Sequence, residues 1–197
     1  MRIDLYDTAG HRKYLTRAER DRFLRTAATC LGEVQTFCSV LAYTGCHMTE
    51  ALELTYERVN LRQHTLTFET LRTRGRRVLR TVPVSPTLLA VMDTMHHIQE
   101  HKGRRRYRLV WPWSRTTAWR HIHAVMARAE IHGPHASAKG LRHGFGVLAV
   151  EQGIPLPLIQ QWMGHADLES TVVYTMVMPH ETRSLAAKLW NDPLLTR

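Results

Sequence analysis

Two runs of basic residues carry groups able to do chemistry. The first holds Arg72, Arg74, Arg76 and Arg77, with Arg80 close behind; the second is Lys102 followed by Arg104, Arg105 and Arg106. A guanidinium is a planar fork that donates two hydrogen bonds to one phosphate, so both runs are expected to track a phosphate backbone. A merely solvated loop is the usual fate of such a run. Histidines offer a second chemistry: His96, His97 and His101 fall on one expected helix, and His121 and His123 form a further pair. Imidazoles one helical turn apart can bind zinc, but no H-E-x-x-H pattern accompanies them and no carboxylate is placed as a third ligand, so no metal is expected. Cys30, Cys38 and Cys46 are eight apart in apolar helical sequence. An odd count without C-x-x-C spacing argues for buried structural thiols rather than disulfides or a zinc knuckle. Trp111, Trp113, Trp119, Trp162 and Trp190 lie mostly within apolar stretches and are expected in the core, not as base-stacking platforms.

The elements that must position these groups are mostly helical. Thr16 and Glu19 form a capping box, which starts a helix at Arg17 that runs to about Cys30. A second apolar helix runs from about Val34 to Tyr43 and stops at Gly45, and Met48–Leu54 reads as a short helix with Leu52 inward. The period then changes. Leu66 and Phe68 alternate with threonines, while Val78, Val82 and Val84 share one parity, which makes two or three strands of a small antiparallel sheet with the first arginine run at its turn. Ser85–Pro86 starts a helix through about His101. Thr116–Glu130 is another, with Trp119, Ile122, Val125 and Met126 on one face. Leu141–Val150, Leu156–Met163 (ended by Gly164), Ser170–Thr175 and Glu181–Trp190 complete the chain. The reading is α+β, mainly α, with one small antiparallel sheet in one domain.

The composition agrees with that size and class. The chain has 197 residues, 44% hydrophobic and 22% charged, which is globular. It has no apolar run of the roughly 18–20 residues a membrane span needs, and its start lacks the apolar core of a signal peptide, so a cytoplasmic protein without membrane contact is expected. Twenty-seven Lys and Arg against 17 Asp and Glu leave a net charge of +10. Such a basic balance suits a polyanionic partner.

The sequence from Leu141 onward narrows the choice. Leu141-Arg142-His143-Gly-Phe, followed by Gln161-Trp-Met-Gly164-His165 and then Thr171-Val-Val-Tyr174-Thr, resembles the tyrosine recombinase (phage integrase) family. Upstream, Tyr43-Thr-Gly45-Cys-His47-Met-Thr-Glu50 fits that family's first signature, Val82-Pro-Val84 fits the end of its small sheet, and Leu109-Val-Trp-Pro with Arg115-Thr-Thr-Ala-Trp119 fits the segment before its second half. The resemblance runs from about Leu15 to Met178. It implies the catalytic-domain fold of that family, double-stranded DNA as partner, other protomers of the same or a related recombinase on that DNA, and a reaction needing no cofactor. A tyrosine attacks a phosphodiester, a 3′-phosphotyrosine forms, and a 5′-hydroxyl reverses it. On this resemblance Tyr174 matches the nucleophile, Arg142 the second of two phosphate-clamping arginines, and His165 the histidine that hydrogen-bonds the phosphate. Arg72, Arg76, Arg77, Arg80, Lys102, Arg104, Arg105, Arg106 and Arg115 are the expected DNA contacts.

Three catalytic positions depart from the pattern. His47 stands where the first arginine is expected, Lys139 where a histidine is expected, and Arg74 is the loose match to the general-acid lysine. Each can carry positive charge, but His47 cannot form a bidentate fork, and a guanidinium is a poor proton donor. One lost transition-state donor costs about 10²–10³ in rate. Two readings follow: a recombinase or integrase that cuts and rejoins DNA, or a catalytically impaired DNA-binding regulator on the same fold. The expected layout is an N-terminal tail over 1–14, a catalytic domain over 15–190 and a C-terminal tail over 191–197, with no separate core-binding domain before it. Ser184, Leu185, Ala186, Leu189 and Trp190 form an apolar stripe expected to join protomers.

Overall fold

Helix α1 (Arg17–Ala27) begins at its capping box: the Thr16 hydroxyl accepts from the Glu19 N–H, and Glu19 Oε2 accepts from the Thr16 N–H at 2.9 Å. The same carboxylate accepts from Arg12 at 2.5 Å and lies 3.2 Å from His135 Nε2, tying the chain before α1 to the loop before α6. The computed structural model describes residues 4–71, 77–101 and 103–177. Residues 4–14, expected within a tail, pack onto the domain: Leu5 is buried, and Tyr6 bridges to Arg12.

Helix α2 (Gly32–Thr44) is buried on several sides and stops at Gly45, whose φ of 62° lies in the left-handed region that glycine adopts without strain. Helix α3 (Met48–Leu52) follows at once. Strands β1 (Val59–Asn60), β2 (Thr65–Leu71) and β3 (Arg77–Pro83) form an antiparallel sheet in the order β1-β2-β3, with Leu66 opposite Val82 and Phe68 opposite Arg80. Helix α4 (Pro86–His96) is capped by the Ser85 hydroxyl, which accepts from the Leu88 N–H. It ends five residues before the expected His101, because His97 turns left-handed at φ 49°. His97 and His101 therefore do not share a helix face.

Helix α5 (Arg115–Arg128) buries Ala118, Ile122, Val125 and Met126. Trp119, expected with them in the core, is 52% exposed and stacks on His123 instead. Helices α6 (Ala138–Glu151), α7 (Leu156–Met163) and α8 (Glu169–Val172), then a 3₁₀ turn over Val173–Val177, complete the described chain. Glu181–Trp190, with its apolar stripe, lies outside the described residues. Among the described residues no helix is long and apolar enough to cross a membrane.

Among the described residues, two apolar clusters hold the fold. The larger joins α1, α2, α4, α5 and the sheet around Phe23, Phe37, Leu41, Trp111 and Ile122, all fully buried. Each such side chain contributes about 1.5–3 kcal/mol of burial. Cys38 and Cys46 lie in it as free thiols, and burial pushes Cys46 up to about 12. The smaller cluster packs Leu5, Val147, Ala149, Ile159, Met163 and Tyr174 between α6, α7 and the last turn. Arg142 lies at the seam between the two.

Candidate functional site

Helix α6 sets the site's floor. The Ser137 hydroxyl caps it by accepting from the Gly140 N–H, and its 3.6-residue period then places Lys139, Arg142, His143 and Gly146 along one stripe. Arg142 is buried, and its two terminal nitrogens donate to Gly45 O at 2.5 Å and Met163 O at 2.8 Å. Those acceptors are carbonyls left free where α2 and α7 end, so the two helix ends fix the guanidinium. Gly164, at φ 71°, stops α7 and turns the chain so that His165 faces the same seam.

Tyr174 is fully buried beside them. Its Oη lies 3.2 Å from His143 Nδ1, and its ring stacks on His165 with centroids 6.1 Å apart and planes 18° from parallel. Burial pushes the phenol up to about 12, and the Arg142 charge works against that rise. His165 Nδ1 lies 2.8 Å from the Thr171 hydroxyl, while its Nε2 is buried with no partner among the described residues. A hydroxyl donating to Nδ1 leaves the ring hydrogen on Nε2, which makes that nitrogen an unused donor. Burial, then the neighbouring Arg142 and His47, push His165 down to about 4. The ring is neutral at pH 7.

His47 caps α3 at the edge of this group, its N–H donating to Glu50 Oε2 at 2.8 Å. The residue keeps an exposed edge, but desolvation of its imidazole by the protein packed against it, then the charge of Arg142, push it down to about 4. Lys139 is exposed on the first turn of α6. Arg74 lies outside the described residues, so the structure gathers Tyr174, Arg142 and His165, with His47 at the rim.

Arg80, expected on the DNA-contacting surface, is 6% exposed. Its Nη2 meets Glu50 Oε2 at 2.5 Å, its Nη1 donates to Glu50 Oε1 and to Thr70 Oγ1, and its Nε donates to Trp162 O at 2.8 Å. Four of its five N–H donors are committed, so it ties α3, β2 and α7 together rather than reading a phosphate. Burial alone raises the Glu50 carboxyl, but Arg80's hydrogen bonds and charge outweigh it and hold the group below its ordinary value. Parity carried the signal: Arg80 shares the inward face of β3 with Val78 and Val82. Arg104, Arg105 and Arg106 on the turn Gly103–Tyr107, and Arg115 at the start of α5, are exposed. Arg72, Arg76 and Lys102, and the side chain of Arg77, lie outside the described residues. The residue the sequence reading left without a role is His143, whose place one helical turn after Lys139 was the available sign.

The chain is similar to known proteins in sequence and in fold. Tyrosine recombinase XerD of Vibrio vulnificus is 28% identical over 157 residues, covering 74% of this chain and 49% of that protein. The XerD of Neisseria meningitidis serogroup A is 39% identical over 64 residues, 32% of this chain and 21% of its own. The chain spans about half the length of the first of these relatives. The crystal structure of XerA recombinase superposes with a TM-score of 0.72 at 22% identity, over 91% of this chain and 65% of that one. The catalytic domain of bacteriophage HP1 integrase does so at 0.63 and 22%, over 90% of this chain and 96% of its own. These likenesses show a tyrosine recombinase catalytic-domain fold. The family model described as the phage integrase family matches residues 13–191, both signature segments and the sheet between them included, and the chain belongs to that family.

Proposed function

We propose that this chain cuts and rejoins DNA strands at specific sites through a 3′-phosphotyrosine on Tyr174. One observation carries the reading. The phenol is gathered with the Arg142 guanidinium and with His165 Nε2, a buried nitrogen with no partner among the described residues. A buried polar atom without a partner costs about 1–3 kcal/mol, and a phosphate oxygen is the acceptor that would satisfy this one.

The chemistry follows from those groups. As the Tyr174 oxygen bonds to phosphorus, negative charge grows on the non-bridging oxygens, and Arg142 with His165 Nε2–H stabilise it. The 5′-oxygen leaves and takes up a proton. The phosphotyrosine ester conserves the bond's energy, so a 5′-hydroxyl from another duplex restores the backbone without metal or nucleotide. The exposed Arg104, Arg105, Arg106 and Arg115 suit the neighbouring backbone. The partners on this reading are double-stranded DNA and further recombinase protomers, acting in the cytoplasm at nucleoid or plasmid.

The test is covalent trapping on a library of nicked duplexes with randomised arms and a fluorescent 5′ end. The nick lets the leaving fragment diffuse away. A labelled protein band on a denaturing gel is expected from the unaltered chain and none from Tyr174→Phe, with duplex binding equal in both. No band from the unaltered chain, with binding intact, would assign it to the DNA-binding regulators.

A further inference from the structure

We infer that His143 takes the phenolic proton of Tyr174 as the tyrosine oxygen attacks phosphorus, a step that rests on the strand-cleavage reading above. A general base must stand within hydrogen-bond reach of the proton it removes. His143 Nδ1 lies 3.2 Å from Tyr174 Oη, and both groups are buried. Among the described residues no other side chain is hydrogen-bonded to that oxygen. The family pattern expects a histidine at 139. Lys139 is exposed there, and an ammonium has no lone pair with which to accept a proton. The imidazole stands one helical turn later on the same stripe of α6, facing the reacting atom. Gly146, a further turn along, leaves room for this pairing: a Cβ there would lie 2.6 Å from Cε2 and Cζ of Tyr174.

The groups that act on His143 are Lys139 and Arg142 from α6, His165 after α7, Lys13 from the segment before α1, and Tyr174 itself. Burial first, and then the positive neighbours, push the imidazole down to about 3. It is therefore neutral at pH 7, with a lone pair free on Nδ1 when Nε2 carries the hydrogen. His143 Nε2 has no partner among the described residues, so no second hydrogen bond fixes the ring elsewhere. An anionic phosphodiester held by Arg142 opposes the positive field and raises the ring's proton affinity when the proton must move.

The step balances. The Tyr174 O–H bond breaks and its proton passes to His143 Nδ1, while an oxygen lone pair forms the O–P bond. The P–O5′ bond breaks, and its electron pair leaves on the 5′-oxygen, which is protonated from water. In rejoining, a 5′-hydroxyl gives its proton to water and attacks phosphorus, and the His143 imidazolium returns its proton to the departing phenolate.

The experiment uses the full 197-residue chain and the nicked duplex library, made with either oxygen or sulfur at the bridging 5′ position. Sulfur leaves without needing a proton, so it separates loss of a base from loss of an acid. His143→Ala is expected to slow covalent complex formation by about 10²–10⁴-fold with either leaving atom, and added imidazole to restore part of the rate. His143→Gln keeps an acceptor oxygen near Tyr174 but cannot hold the proton, and is expected to be as slow. Thermal unfolding checks that each variant is folded; should His143→Ala unfold, His143→Gln decides. A His143→Gln rate equal to the unaltered one (positioning only), a faster His143→Ala (a latch on the tyrosine), or full rescue of His143→Ala by sulfur (an acid) overturns the proposal. No complex from the unaltered chain on either duplex overturns the cleavage reading and this step together. A complex that forms normally without His143 overturns this step alone.

Discussion

The tyrosine seat is filled to contact by a residue with no side chain. Since a Cβ at 146 would meet the Tyr174 ring at 2.6 Å, Gly146→Ala must push the ring off His143 or bend α6. Overpacking of this kind costs about 1–3 kcal/mol, to be read as a lower urea midpoint, with slower covalent trapping. A second residue-scale prediction concerns the rim. His47→Arg supplies a fork beside Arg142 and Glu50 and is expected to raise trapping by about 10²–10³-fold. Lys139→His should add little, because His143 already meets the nucleophile. Equal trapping before and after His47→Arg would show that Arg142 and His165 suffice. Tyr174, Arg142 and His165 were legible because their spacing is a signature that survives in sequence. Arg80 was misread because its charge and its place beside an arginine run outweighed its parity with Val78 and Val82, and only the fold reveals the carboxylate opposite it.

Between elements, the Glu50–Arg80 pair is the joint that holds α3, β2 and β3 against the end of α7. Both side chains are nearly sealed, at 7% and 5% exposure. Arg80→Met leaves a carboxylate buried without its counter-charge, and loss of one partner in such a pair costs about 3–5 kcal/mol. Denaturant unfolding of Arg80→Met, Glu50→Gln and the double variant measures it. The double variant should recover a large part of the loss, and strictly additive losses would show that the two residues do not act as a pair. The starts of α1 and α4 were legible because Thr16 and Ser85 each accept an N–H from the first turn, a bond encoded within a few residues, whereas α6 begins at Ala138, after its Ser137 cap and three residues before the expected Leu141. The end of α4 was not legible. His97 takes a left-handed conformation that glycine or asparagine would have announced. Trp119 was misplaced for a related reason: α5 turns only one stripe inward, and neighbouring apolar residues cannot show from sequence which side of the stripe they fall on.

Across the whole molecule, buried imidazoles make stability depend on pH. His96, His143 and His165 are 5%, 3% and 7% exposed, and burial pushes them down to about 4, 3 and 4 from an ordinary 6.5. The unfolded chain takes up these protons as pH falls through 6.5, whereas the folded chain does so only near 3–4. The stability they contribute is therefore full above 6.5 and is lost as pH falls below it. Each pKa unit is worth 1.36 kcal/mol, so the losses at full protonation are about 3 kcal/mol for His96, about 3 for His165 and about 5 for His143. Their sum is comparable to the roughly 5–15 kcal/mol that holds a domain folded. The Glu50 carboxyl, held below its ordinary 4.5, adds a further loss under that pH. Unfolding in acid should then begin well before the buried histidines reach their own folded pKa values. Urea midpoints measured from about pH 7.5 down to 5 should fall steeply, with a slope approaching about 4 kcal/mol per pH unit from three histidines. His96 offers a control away from the site, since its Nε2 lies 2.8 Å from the Thr36 hydroxyl beneath α2. His96→Gln preserves a hydrogen-bonding group there and removes one titrating site, so the slope should drop by about a third while trapping on DNA at neutral pH is unchanged. A midpoint constant between pH 7.5 and 5 would contradict the argument, because three neutral buried imidazoles cannot leave the folding equilibrium without a proton to take up.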